Sequence, residues 1–572
     1  MNRKELKRQH ISQLVAVITI IAALNFLGGI QFFRADLTSE KRYTLADVSK
    51  SILRELESPV FIRVYLDGQL PSDLLQFRKS VRETLEEFRA YAGRNIEYEF
   101  INVYDEPDEA VRNRIMRNLS EKGLRLTDIR LKDKDGGFTT RIIFPGALVN
   151  YRGTDFPVNL LKNNPGLPYH VNLSNSVQSL EFEFIRAVKS LTSEKREKIA
   201  FIEGHQELND YDVYDITAEL LLFFQVDRGT VRGNLNDLLE YKALIIAQPL
   251  QRFNEADKFA IDQYIMRGGN VLFFIDPVQT IADSLMSGRT YTSFLDLNIY
   301  DLLFKYGFRI DYNLVKDIQC SFVRVESSVE DQNPTVSLMP WWYFPLFTPR
   351  SDHVITKGLN YILGQYVSSI DTSSAPLPGV QRTVLLSTSD TSAKIDNPVV
   401  ISMDEIVQKP DSRVFNKSRL PVAIMAEGTF ESFYTNYGVP KGVTPPDAEI
   451  IKVSMPARVF VAGDGDFLRN DVGISDGEPV PAPLGYDHDT RQTFGNKEFI
   501  MNVINYMTDD HGLITLRNRE FRLRLLNRAV IRTSSQKLKW KIINTVIPSC
   551  FVLVFALVFA YLRKRKYGTR DN

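Results

Sequence analysis

At 572 residues the chain exceeds what one hydrophobic core accommodates, so two to four domains are expected. A composition that is 44% hydrophobic and 24% charged excludes both a polytopic transporter and a largely disordered chain. Lys+Arg 70 against Asp+Glu 70 gives no global reason to expect nucleic acid, and the two cysteines, Cys320 and Cys550, exclude a disulfide framework, a CxxC redox site and a cysteine-rich zinc site.

Residues 1–10 carry Arg3, Lys4, Lys7 and Arg8 and precede "ISQLVAVITIIAALNFLGGI" (11–30), an apolar run long enough to cross a bilayer. Its length and the lack of an A-x-A-like site favour an uncleaved anchor over a signal peptide. Residues 31–52 follow, charged and turn-rich at first, then helical in pattern, with Leu45, Val48 and Ile52 on one face.

Residues 53–165 alternate between strand and helix. "VFIRVYLD" reads as a strand, "SDLLQFRKSVRETLEEFRAYAG" as a helix, "IEYEFINVY" as a strand and "PDEAVRNRIMRNLSEKGL" as a helix. "RLTDIRLK", a "DKDGG" turn and "TRIIFPGALVNYRG" close the segment as a hairpin. The order β-α-β-α-β-β suits a thioredoxin-like sandwich without cysteine, hence the scaffold alone.

Residues 175–285 form a second α/β unit. "NSVQSLEFEFIRAVKSLTSE" reads as a helix, "KIAFIEGHQE" as a strand running into a loop, and "YDVYDITAELLLFFQV" as a helix. "ALIIAQP" is a buried strand, "NEADKFAIDQYIMRGG" a helix stopped by glycine and "NVLFFIDP" another strand. This alternation predicts a parallel sheet covered on both faces. Residues 286–455 read as a β-rich insertion. Residues 456–512 return to the sheet through "PARVFVAGDGDFL" and the helix "NKEFIMNVINYMTDD".

A basic segment, 513–541, holds nine Lys/Arg against Glu520, among them Lys537, Lys539 and Lys541. A second apolar span, 542–562, contains Pro548 and has Trp540 and Tyr561 at interface positions. The tail 563–572 adds Arg563, Lys564, Arg565 and Lys566, and such clusters meet anionic headgroups. Two spans with basic ends place both termini in the cytoplasm and the body outside it, although the basic approach to the second span argues the other way.

Glu203, Gly204, His205 and Glu207 stand at the carboxyl end of a predicted parallel strand, where open α/β sheets place ligands. A catalytic role for His205 needs a nucleophile or metal partners, and the sequence offers none nearby; a packed loop histidine is the plainer reading. "GDGDF" sets Asp464 and Asp466 after another strand, with Asp471 close by. It lacks the late Glu of a calcium loop and reads as a turn. "GISDG" matches G-x-S-x-G around Ser475 but lies in loop sequence, without the strand and helix that motif requires. No phosphate loop occurs, and no H-x-x-x-H or H-E-x-x-H pair; "WWYFP" (341–345) reads as core before it reads as an exposed aromatic patch.

Several stretches in shared order resemble the auxiliary subunits of gliding-motility-associated ABC transporters (GldG-like). They are "RADLTSEKRYTLADVSKSIL", "VFIRVYLDGQLP", "FIEGHQE", "DQYIMRGGNVLFFIDP", "WWYFPLF", "PVAIMAEGTFESFY", "VAGDGDFLRND" and "GNKEFIMNVINYM". The resemblance implies a non-catalytic inner-membrane protein without cofactor or metal. Its partners would be an ABC permease, a cytoplasmic ATPase and membrane lipid, and its second domain would be amidotransferase-like. Segment 31–52 then becomes an ordered neck between the first span and the first domain. A membrane-anchored hydrolase using Glu203, His205 and Glu207, and a stand-alone envelope scaffold, are the alternatives.

Overall fold

The computed structural model describes residues 11–23, 44–132, 138–162, 164, 167–193, 195–280, 285, 288–326, 336–349, 352–372, 377–475, 477–510, 512–518 and 534–567. The chain divides into two units, Met1–Glu520 and Phe521–Asn572. Within the first expected span the described part is helix α1, Ile11–Ala23. Residues 24–43, which hold most of the expected neck, lie outside the described residues, as do Arg3, Lys4, Lys7 and Arg8.

Two sheets organise the larger unit. The first has four strands: β1 (Val60–Val64), β2 (Ile96–Phe100), β5 (Gly146–Tyr151) and β6 (Thr154–Asn159), in the order β2-β1-β5-β6. β1 and β2 run parallel, while β5 is antiparallel to both β1 and β6. Helix α2 (Asp47–Arg54) and helix α3 (Ser72–Ala92) precede β1 and β2 respectively. Helix α4 (Glu109–Glu121) starts at Asp108, whose carboxylate accepts from Ala110 N and Val111 N as an N-cap.

The expected closing hairpin is divided differently. β4 (Phe138–Ile143) folds back on β3 (Thr127–Lys132) as a separate ribbon, and "GALVNY" leaves it to become β5 in the main sheet. Pro145 lies at the break and has no amide to continue the ladder. The strand that pairs with β5, "TDFPVN", was not anticipated.

Helix α5 (Tyr169–Thr192) was expected to open the second unit. Its buried face, Leu180, Phe184, Ile185 and Val188, instead packs on the core of the first sheet with Val81, Phe88 and Val149. Phe184 and Phe88 meet edge to face with centroids 6.2 Å apart. Helix α2 docks on the same layer, contacting α3 and α5, with Leu45 and Leu53 buried.

The second sheet has seven strands. Its parallel part comprises β7 (Lys198–Glu203), β8 (Gln225–Thr230), β9 (Ala243–Ala247), β10 (Asn270–Phe274) and a late strand, Ala457–Ala462. Helix α6 (Tyr214–Leu220) and helix α7 (Glu255–Met266) connect these strands on opposite faces. Strand alternation explains the two cores. Ala243, Ile245 and Ala247 face one, and Leu244 and Ile246 the other. The sequence "YDVYDITAELLLFFQV" is helical only through Leu220; turns follow, and β8 begins at Gln225. β8 was not anticipated because "QVDRGT" lacks an apolar run, as suits an edge strand.

The sheet is mixed rather than wholly parallel. Strands from the expected insertion extend it: Val380–Ser387 pairs antiparallel with Pro421–Gly428, which pairs antiparallel with Ala457–Ala462. In chain order β11 (Cys320–Glu326) and β12 (Val336–Phe347) form a separate ladder, and these three strands are β13, β14 and β15. Trp341, Trp342 and Tyr343 of β12 are buried, so "WWYFP" is core. Helix α8 (Asn496–Thr508) returns over the sheet, and a short turn, Leu513–Asn518, puts Leu513 and Leu516 into the first sheet's core and Ile514 into the second's.

The smaller unit contains helix α9 (Ser534–Tyr567), with Pro548 inside it. Its stretch Ser535–Arg565 is long and apolar enough to cross a membrane, and Phe551, Phe555 and Leu557 are exposed along it. Arg563, Lys564 and Arg565 lie at its end, after Tyr561.

Candidate functional site

Past the carboxyl ends of β7, β9, β10 and β15 lie His205, Gln248, Asp276 and Asp464 with Asp466. Gly204, at φ +116°, occupies backbone space that favours glycine, and Gln206 follows at φ +56°. This tight loop turns His205 inward, where it is 4% exposed. Its backbone amide donates to Glu207 Oε2 at 2.7 Å, and Nδ1 lies 3.0 Å from Glu207 Oε1. Nε2 lies 3.3 Å from Asp257 Oδ2, and the ring stacks on Phe253 with centroids 3.7 Å apart.

Both ring nitrogens therefore face carboxylates. Burial works against a charged imidazole, but the hydrogen bonds its ring donates to Asp257 and Glu207 outweigh it and raise the pKa to about 9. Asp257 is also buried, yet the His205 bond and the Gly233 amide at 2.5 Å hold it below the usual carboxylate range. The His205 carbonyl accepts from Leu250 N and Gln251 N, which joins this loop to the one after β9. The arrangement is a bolt between β7, β9 and α7, and it leaves His205 no open nitrogen to take a substrate proton.

Glu203 belongs to a different group. It accepts from Arg228 Nε of β8 at 2.7 Å, and Arg228 also donates to the Leu208 carbonyl. Asp210 also lies 2.9 Å from Arg228 Nε, so the predicted ligand loop is divided between a part-buried cluster at the sheet edge and a buried ion triad.

Asp464 and Asp466 are brought together with a residue that sequence reasoning missed, Asp276 after β10. Asp276 accepts from Gly465 N at 2.8 Å and from Gln248 Nε2 at 2.5 Å. Gln248 also donates to Asp466 at 3.3 Å, while Asp464 accepts from Gln365 N and Asp466 N. Glycines allow this closeness. A Cβ on Gly463 would lie 2.2 Å from the Ser368 carbonyl oxygen, and one on Gly465 would lie 2.4 Å from the Gln248 side chain.

Burial, reinforced by Asp466, raises Asp276 to about 7. Burial and the charges of Asp466 and Asp276 push Asp464 well up, and burial raises Asp466 against the pull of Arg469. Their hydrogen bonds come mainly from backbone amides and Gln248, and among the described residues no three His, Cys, Asp or Glu converge in a metal-binding arrangement. Asp276 and Gln248 each stand just after a strand that the sequence had already marked as buried. That position alone would have flagged them. Asp471 is likewise pushed up by burial, and Ser475 ends a strand, Val472–Ser475, paired in a hairpin with Glu478–Pro481, so "GISDG" lacks the strand-to-helix turn of a nucleophile.

Comparison with known proteins adds the family. Nine solved chains match, among them the "mmIFT52 N-terminal domain", at 13% identity and a TM-score of 0.31, covering 55% of this chain and 99% of that one. No curated protein matches. A domain family of unknown function matches residues 39–150. The model of an ABC transport auxiliary family, described as "ABC-type uncharacterized transport system", matches residues 196–503, which is more than half of the chain and spans all seven strands of the second sheet. The chain belongs to that family of transporter auxiliary proteins.

Proposed function

We propose that this chain is a non-catalytic auxiliary subunit of an ABC transporter linked to gliding motility, working with a separate permease and a separate cytoplasmic ATPase. Family membership carries the reading. The apolar helix α9 and the shorter α1 are consistent with anchoring in a membrane, for which we infer two spans in the inner membrane and a body on the periplasmic side. In this reading the first sheet is a thioredoxin-like scaffold and the second an amidotransferase-like one, each serving contact rather than chemistry.

The geometry at His205 favours this over a hydrolase. A general base needs an accessible lone pair within reach of substrate, and both His205 nitrogens are engaged by Glu207 and Asp257. The test is a mild-detergent pull-down of the tagged full chain with mass spectrometry. Stoichiometric recovery of a polytopic permease and an ATPase with a phosphate loop is expected. Recovery of neither, with the chain folded, sinks the proposal.

A further inference from the structure

Between the two sheets of the larger unit lies a cavity of about 300 Å³. Helix α5 forms one wall, with Ser179, Phe182 and Arg186; Leu359, Met501 and Arg517 belong to the side built by the second sheet's layer. Its charge is unbalanced. Six cations line it, Arg125, Lys162, Arg186, Lys357, Lys497 and Arg517, against the carboxylates of Glu183, Glu219 and Glu498.

Pairing inside the cavity does not remove the surplus. Glu183 is shared by Lys162 at 2.6 Å and Arg186 at 3.1 Å, and Arg125 lies 3.7 Å from Glu498. Lys497 pairs with Asp215. Arg517 donates to two neutral oxygens, Asn502 Oδ1 and the Lys357 carbonyl, and among the described residues it forms no ion pair. Arg186 Nε is buried and, among the described residues, has no hydrogen-bond partner, an expensive state for a donor on a cation. Burial lowers the Arg517 guanidinium to about 10 against the opposing charge of Glu183, and Arg186 adds to the lowering. Charge surplus, an unsatisfied guanidinium donor and a concave volume meet along this wall.

We propose that this cavity binds a small molecule through a doubly charged oxyanion, a phosphoryl group held by Arg186 and Arg517. Guanidinium forks match phosphoryl oxygens with paired hydrogen bonds, and the excess of cations favours a dianion over a monoanion. Phe182, Leu359 and Met501 supply apolar surface for a carbon body, and Ser179 lines the same wall two helical turns before Arg186. Arg517 belongs to the turn Leu513–Asn518, whose leucines enter the first core and whose Ile514 enters the second, so an occupied cavity ties together the layers that this turn already spans. The site needs no transporter partner, and its failure leaves the proposed transport role untouched.

The test uses the full chain in detergent. Thermal stability is followed against inorganic phosphate and glycerol 3-phosphate, with chloride at matched ionic strength as the control. A parallel series adds phosphatidic acid to the micelles. A saturable rise in melting temperature with phosphate or glycerol 3-phosphate is expected, with half-saturation weakened at least about tenfold in Arg517→Gln and in Arg186→Lys. A saturable rise with phosphatidic acid alone, lost in the same variants, supports the same site with a lipid headgroup as the source.

Ser179→Cys, in a background of Cys320→Ser and Cys550→Ser, gives a readout that does not depend on the arginine variants folding. Its alkylation by an uncharged reagent is expected to slow in the presence of the binding phosphate compound. No saturable effect of any of the three compounds overturns the proposal, as does saturation unchanged in folded Arg517→Gln or no protection of Cys at 179.

Discussion

His205, on the loop after β7, and Asp257, in the first turn of α7, form a buried ion pair with Nε2 3.3 Å from Oδ2. Two loops that ordinarily open a ligand site in this architecture are thereby locked to a helix. The energetic weight of such a pair appears when one partner is removed, because the remaining charge stays buried and uncompensated.

Replacing His205 with Gln is therefore expected to destabilise the chain by about 3 kcal/mol at pH 6, read as a lowered melting temperature. Its pH dependence follows from the raised pKa. The contribution of His205 is complete below its unfolded value near 6.5 and is lost as pH rises through about 9. The wild-type chain should lose stability across that window, and His205→Gln should flatten the loss. An equal slope in both proteins would refute the assignment of the charge to His205.

The carboxylates at Asp276, Asp464 and Asp466 act in the same direction at lower pH. A carboxyl whose folded pKa is raised favours folding while it is protonated, and that advantage is lost as pH rises from near 4 through about 7 for Asp276. Asp276→Asn removes one charge while keeping an acceptor for Gly465 N. It should stabilise the chain by roughly 1–2 kcal/mol at pH 8 and have little effect at pH 4, measured by paired thermal melts.

Gly463 should tolerate no side chain. Alanine there places its Cβ 2.2 Å from the Ser368 carbonyl oxygen, on backbone that Ser368 N→Gly463 O pairing fixes. A loss of about 2–3 kcal/mol is expected for Gly463→Ala. Gly438→Ala, with open space around the added carbon and no positive φ, should change the melting temperature little.

Glu181 holds the start of α2. Its Oε1 accepts from Ala46 N at 2.7 Å and from Ser49 Oγ at 2.6 Å, fastening residues that follow the first apolar run to helix α5. Glu181→Ala should cost about 1–2 kcal/mol locally and speed amide exchange over 46–53. Unchanged exchange there would mean that Leu45 and Leu53 alone hold the helix in place.

Strands buried on both faces were legible because they are continuous apolar runs: "ALIIA", "VLFF" and "RVFVA" became β9, β10 and β15. β14, "PVAIMAEG", has the same character, and the expectation of a separate insertion hid its place in the main sheet. Edge strand β8 gave no signal, since half of an edge strand's surroundings are solvent or loop. The His205 loop was visible, with a packed histidine as its plainer reading. Its partner Asp257 was not, because it reads in sequence as an ordinary first-turn acid of a capped helix.

Local chemistry in the chain determined its elements: the apolar run behind α9, the Asn254 cap and glycine stop of α7, and the buried parallel strands. Tertiary structure alone decided which elements share a core. Helix α5 packs on the first sheet although it precedes the second, because shape and burial of its apolar face select a neighbour and sequence proximity does not. The same holds for charge. Arg186 reads as an ordinary helix residue and Arg517 as one of the basic residues of segment 513–541, and only the fold sets both on one cavity, where cations outnumber carboxylates.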